Sequence, residues 1–174
     1  MVKMDKYTRF ANTWKAIGVT SKVKWHQRST LDRFNGMLVK RLAEKYGDEV
    51  KALTEDVAYQ IGLEDGEKIC ENLNLDHTAM ASALVPLETV ALLSGIDSEV
   101  NGDKKSRQFP HLTFKCTGCM YGQIFEGMDQ GIRERVCLKY TTGLVHSVNK
   151  ETEIKMLRKC CQGNRQCELM VTFR

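Results

Sequence analysis

The sequence predicts an α+β domain: an N-terminal helical layer packed on a C-terminal, mainly antiparallel sheet that carries a cysteine-rich site. Three observations predict it. Apolar residues recur at three- and four-residue spacing from Ser29 to Gly95, which is the period of helices. After a polar, glycine-containing stretch from Ser94 to Gln108, apolar residues alternate instead, beginning with Leu112, Phe114 and Cys116, as a half-buried strand requires. Helices first and strands afterwards favour an antiparallel sheet with its helices segregated from it.

Residues 1–28 hold both tryptophans, Trp14 and Trp25, and are expected to form a basic helical extension. A single domain is expected over 29–174, with a helical part at 29–95 and a cysteine-rich part at 109–174. Ser29 and Asp32 have capping-box spacing, and Leu31, Phe34, Leu38, Leu42 and Tyr46 share one face of the helix that follows, with Gly47 as its stop. Asp48 caps a second helix with Val50, Leu53, Val57 and Ile61 as its stripe, punctuated at Gly62 and Gly66. Ile69, Cys70 and Leu73 suggest a short third helix. Thr78 begins a fourth, through Met80, Leu84, Leu87 and Val90 to Gly95; Pro86 either kinks it or starts a new segment. All these stripes are expected in the core. After the strand at Leu112–Cys116, a helix is expected over Cys119–Met128, then strands over Val136–Val148, Glu153–Cys160 and Cys167–Phe173.

Composition narrows the function. The 174 residues are 42% hydrophobic and carry a net charge of only +4, which suits a folded core and not a disordered chain. No run approaches the roughly 18 apolar residues of a membrane span. Charges interrupt MVKMDKYTRFANTW, where a secretory signal would be apolar. Together with an odd count of seven cysteines, this points to the reducing cytoplasm, where clustered thiols serve metal or thiol chemistry more than disulfides. The charge is unevenly spread: residues 1–33 sum to +6, 34–101 to −8 and 102–174 to +6. Oppositely charged segments folding together is one meaning; a basic C-terminal third that favours a carboxylate ligand is the other. The expected partner is a small molecule, with neither nucleic acid nor membrane implied, and a homodimer is compatible with the charge segregation. A P-loop, a dinucleotide fingerprint and a serine-nucleophile elbow are absent from the sequence.

Chemistry concentrates in the cysteines. Six of the seven lie between Cys116 and Cys167: CTGC at Cys116–Cys119, then Cys137, the pair Cys160 and Cys161, and Cys167. Thiolates converging on one point suit zinc or an iron–sulfur cluster. Four would close the site, whereas three would leave a position for water. Two readings compete: a redox motif at a helix N-terminus, and thiols that are simply small buried hydrophobes. Cys70, on an apolar helix face, belongs to the last class. Of Cys160 and Cys161, strand geometry would turn only one inward. His111 or His146 could add a ligand or transfer a proton. Arg133, Arg135 and Lys139, beside Cys137, are candidates to hold a carboxylate, with Phe114, Tyr121, Phe125 and Tyr140 as apolar lining.

Cys119 through Tyr121 (CMY), Cys137, Asn149, and QGNRQCEL with Gly163, Cys167 and Glu168 resemble the L-2-amino-thiazoline-4-carboxylic acid hydrolase family. The same stretch, through Cys137, Gly143, Cys160 or Cys161, Gly163 and Cys167, is similar to the 4-vinyl-reductase-type small-molecule-binding domain. The first resemblance implies a metal-dependent hydrolase that opens a carboxylate-bearing cyclic amidine. In it, Cys116, Cys119, Cys137, Cys160, Cys161 and Cys167 would supply the metal ligands, and His111 or His146 the proton transfer. The second implies a non-enzymatic binding domain with a structural, cysteine-held zinc. An iron–sulfur accessory protein is the third possibility. The chain reads CLKYTTG from Cys137, without the aspartate that the hydrolases place there.

Overall fold

A computed structural model describes residues 19–77, 80–102, 111–119 and 128–173, with side chains from Arg33 onward except at positions 80 and 81. Two long helices, α1 (Val19–Tyr46) and α2 (Asp48–Leu73), form a hairpin that turns at Gly47 in the left-handed region, φ 71°. A 3-10 turn (Met80–Leu84) leads into α3 (Val85–Leu93). Then come β1 (Ser98–Gly102), β2 (His111–Cys116), α4 (Gln130–His146), β3 (Thr152–Arg158), a second 3-10 turn (Cys160–Gln162) and β4 (Cys167–Phe173). The α+β class stands as expected. The sheet is antiparallel throughout, in the order β1-β2-β4-β3.

The helices differ from the sequence reading in extent. α1 is continuous through the expected start at Ser29, and α2 runs unbroken through Gly62 and Gly66 to Leu73. Pro86 starts a helix instead of kinking one, because an amide donor is dispensable in the first turn. Gly62 and Gly66 are packing residues. α2 lays Ala58, Gly62, Gly66 and Cys70 against α4, a stripe of small buried residues at four-residue spacing. The two backbones meet there. A Cβ on Gly62 would lie 2.2 Å from the Tyr140 carbonyl oxygen, and one on Gly143 would lie 2.3 Å from that of Tyr59.

The expected core stripes of α1 and α2 do not hold, whereas Leu84 and Leu87 of the expected fourth helix are buried. Phe34, Leu38, Leu42, Tyr46, Leu53, Val57 and Ile61 are all exposed, Phe34 and Leu53 to 61% and 63%. α1 instead presents Val39 and Ala43 to a small cluster around Ala58, Ile132 and Val136.

The segment Val136–Val148, expected as a strand, is helical. Val136, Leu138 and Tyr140 alternate as a strand would, but Ile132, Val136, Leu144 and Val145 are the positions that α4 buries. Asp129 caps this helix by accepting hydrogen bonds from the backbone N–H of Gly131 (2.9 Å) and Ile132 (3.4 Å). The sheet's fourth strand is β1, an exposed edge strand inside the polar, glycine-containing stretch from Ser94 to Gln108. The expected helix at Cys119–Met128 lies almost wholly outside the described residues. Cys160 and Cys161 are in a 3-10 turn, so strand alternation does not govern which of them faces inward.

The main core lies between sheet and helices. Leu112, Phe114 and Cys116 of β2 alternate inward beside Leu169, Val171 and Phe173 of β4. Leu84, Leu87, Ala91, Leu144 and Val145 cover them, together with Cys70, which is buried as expected. Among the described residues, no helix is long and apolar enough to cross a membrane.

Candidate functional site

Five of the six clustered cysteines line two adjoining cavities under α4. Cys116 ends β2 and pairs in register with Cys167 at the start of β4. Cys119 follows three residues after Cys116, and Gly118 between them holds φ 144°, a conformation that side chains with a Cβ rarely adopt. Cys137 reaches down from α4. One cavity, of about 20 Å³, is lined by Cys116, Cys119, Cys137 and Cys167, with Phe114, Thr141, Met156 and Leu169 as its remaining walls. The second is the same size and shares Cys119, Cys137, Met156 and Cys167; Cys161, Arg133, Glu134 and Lys159 complete it. Cys160 donates its backbone N–H to the Cys167 sulfur at 3.2 Å. The strand pairing, the CTGC turn and α4 therefore aim sulfurs at one place. Among the described residues, however, no three His, Cys, Asp or Glu side chains already stand in an arrangement that holds a metal ion.

Electrostatics keep most of these sulfurs protonated. Burial pushes the Cys137 thiol well above its ordinary value, and neighbouring sulfurs add to this; a hydrogen bond with Thr141 opposes it. Burial also raises Cys160, to about 11, and Cys161. Cys116 and Cys167 share a hydrogen bond that holds the Cys167 proton and lowers the Cys116 thiol. A cation at the cavity would reverse this balance, since a coordinating thiol gives up its proton.

Ion pairing fixes the rim. Glu134 of α4 accepts from Lys159 and Gln162, both at 2.9 Å, and from Gln130 at 3.3 Å. These bonds hold its carboxyl below the usual range, with Lys159 the largest cause. Gln130 also donates to the Cys161 carbonyl oxygen at 3.2 Å. The start of α4 thus clamps the turn that carries Cys160 and Cys161. Sequence reasoning missed both this clamp and Thr141. Thr141 lies four residues after Cys137, a relation visible only once the segment is read as helical.

The other expected site residues separate. Arg133 lies at the thiol cavity, donating to the Met128 carbonyl oxygen at 3.4 Å, and its Nε is buried without a hydrogen-bond partner among the described residues. Arg135 instead pairs with Glu55 of α2 at 3.2 Å. Lys139 and His146 line a different feature, an open groove of about 690 Å³ between α4 and β3. Both ring nitrogens of His146 are engaged: Nε2 with the Thr152 carbonyl oxygen and Nδ1 with the Tyr59 hydroxyl, each at 3.1 Å. A carbonyl can only accept, so Nε2 carries a proton, and in the neutral ring Nδ1 accepts from Tyr59. His111 is exposed at the far end of β2 from Cys116, about 16 Å away at strand rise. Neither histidine lines the thiol cavities. Tyr121 lies outside the described residues, as does Phe125.

No known family matches the chain, and no curated protein does. Solved structures do. The phenol-responsive sensory domain of the transcription activator PoxR, solved with phenol, superposes with a TM-score of 0.58 at 15% identity, covering 81% of this chain and 73% of that one. Subunit 3 of a trafficking protein particle complex from Naegleria fowleri, covalently bound to palmitic acid, superposes with a TM-score of 0.56 at 15% identity, covering 84% and 94%. The chain therefore shares the fold of these two proteins.

Proposed function

We propose that the protein is a non-catalytic small-molecule-binding module, in which a soft cation, zinc first among them, ties α4 to the C-terminal strands through Cys119, Cys137, Cys161 and Cys167. The observation that carries this reading is the convergence of those thiols, from separate elements, on small cavities of about 20 Å³. Such a space exceeds the roughly 10–15 Å³ that one atom-sized guest needs, and it is far below the roughly 300 Å³ of small organic sites. An ion suits it in size, and the donor set suits a soft metal. When bound, the cation would supply a cross-link between elements. The chain's own contribution is the Cys160 N–H on the Cys167 sulfur and the Glu134 clamp on the adjoining turn.

An organic ligand needs more room, and the groove between α4 and β3 offers it. Leu138 and Ile154 provide apolar walls there, Lys139 and Lys150 provide cations for an acidic or phenolic head, and Glu151 and Glu153 also line it. Both solved neighbours hold a small, largely apolar molecule with one polar end, phenol in one and palmitic acid in the other. His111 and His146, the groups expected to transfer a proton in a hydrolase, lie away from the thiols.

Anaerobically purified protein, analysed for metal and screened by thermal shift against phenol, palmitate and a cyclic amidine carboxylate, tests the proposal. The expected outcome is stoichiometric zinc, lost in Cys137→Ser and Cys167→Ser, with phenol or palmitate raising the melting temperature and no amidine turned over. Metal-free protein would remove the cation. Brown, iron-containing protein would replace zinc with a cluster. Turnover of the amidine would restore the hydrolase.

A further inference from the structure

The α1–α2 hairpin carries its large apolar side chains on the outside. Phe34, Met37, Leu38, Leu42 and Tyr46 follow one face of α1 at three- and four-residue spacing and are 36% to 61% exposed. Leu53, Val57 and Ile61 do the same on α2, at 47% to 63%. Rotating α2 could not bury its stripe, because only small residues fit where Gly62 and Gly66 meet α4. Single exposed apolar residues are ordinary; periodic rows of them on two joined helices mark a binding surface.

Charge indicates what covers it. α1 has seven basic and two acidic residues, and α2 has eight acidic and two basic. Among the described residues, no ion pair joins the two helices. Arg41 pairs within α1 with Glu44, Lys51 pairs within α2 with Asp48, and Glu55 pairs with Arg135 of α4. The complementary charges and the apolar rows therefore belong to one chain, and among the described side chains they are not used between its own two helices.

We propose that this face is a homodimer interface, in which a two-fold axis sets the basic α1 of each copy along the acidic α2 of the other. A second copy is the one occupant that answers both features at once. Two-fold symmetry brings the α1 row of each copy onto the α2 row of the other and satisfies the opposite charges twice over. The apolar rows become the centre of the contact and the charges its rim, the usual anatomy of a stable interface.

Sedimentation velocity on the full chain decides it, alongside the variants Leu38→Glu/Leu42→Glu on α1 and Leu53→Glu/Val57→Glu on α2. Glutamate is a good helix former at exposed positions, so far-UV circular dichroism should not change. The wild-type chain is expected at twice the 19.8 kDa chain mass. Each double variant should sediment as a single chain, a two-fold drop in mass. High salt should weaken the dimer by screening the charged rim. A wild-type chain that stays monomeric at high micromolar concentration overturns the proposal, whether residues 1–18 or another protein covers the rows. So does a dimer that both variants leave intact.

Discussion

Gly143 shows how much one absent side chain decides in this fold. Its missing Cβ is the space in which α2 passes: the atoms it would meet are the Tyr59 carbonyl oxygen at 2.3 Å, the Leu63 nitrogen at 2.7 Å and the Gly62 carbonyl carbon at 2.9 Å. All three are backbone, so no rotamer change can relieve the contact, and the two helices must move apart. In an isolated helix Gly→Ala would gain about 1 kcal/mol of propensity. Overpacking of this kind typically costs about 1–3 kcal/mol, and the rigidity of the obstacle puts Gly143→Ala at the upper end. Gly143→Ala is therefore expected to lower stability by about 1–2 kcal/mol net, read as a lower urea midpoint. Gly131→Ala in the first turn of the same helix meets only the Asp129 carboxylate oxygen, at 3.2 Å, and should be near neutral. Equal effects at the two positions would show that the close crossing is not what Gly143 provides. Neither role is legible from the sequence, where the glycines of α2 read as punctuation and Gly143 falls inside an expected strand.

α4 is the element on which the sequence reading and the structure part most clearly, and the reason is physical. Its residues Val136, Leu138 and Tyr140 alternate with polar neighbours, and the β-branched pair Thr141–Thr142 adds strand propensity. Tertiary packing overrides both, because the helix is buried on several sides and no longer needs a clean amphipathic stripe. The signal that could have found it is Asp129, three residues before the buried Ile132. Asp129→Ala removes the acceptor for the Gly131 and Ile132 amides, an expected loss of about 1 kcal/mol in urea unfolding. The same turn carries Glu134 and its clamp on Lys159 and Gln162, so the variant should also speed reaction of Cys161 with a thiol reagent. An unchanged thiol rate would separate the cap from the cysteine turn. By contrast, β2 and β4 were legible to within a residue or two, since each alternates cleanly with one face in the core. The helical rows were legible as helices but not in their direction. Periodicity locates an apolar face and does not say whether the partner lies in the same chain.

At the scale of the whole molecule, the cysteines give the pH dependence of stability a sign that depends on what occupies their cavity. The sequence marked all six, but not which elements would bring them together, because that depends on the register Cys116↔Cys167 and on α4 being helical. In chelator-treated protein, Cys137, Cys160 and Cys161 hold their protons tightly through burial, and Cys167 does so first through its bond with Cys116. Unfolding returns these thiols to their ordinary value of 9.0. Above that pH the unfolded chain releases protons that the folded chain retains, and stability falls as pH rises. Cys116 runs the opposite way, one group against four. The metal-free melting temperature should thus hold up to about pH 9 and decline toward the value of about 11 to which Cys160 is raised. A thiolate-held cation inverts this. The folded state would already have lost the ligand protons, so stability would be lost as pH falls and the alkaline decline would flatten. Thermal melts from neutral pH to about pH 11, with chelator and with zinc, separate the two cases. If the chelated protein melts at one temperature throughout, the thiols do not hold their protons as their burial implies. If the zinc-treated curve declines in parallel with the chelated one, thiolate ligation at Cys119, Cys137, Cys161 and Cys167 is wrong, and the cavity is a dry, apolar seam between α4 and the sheet.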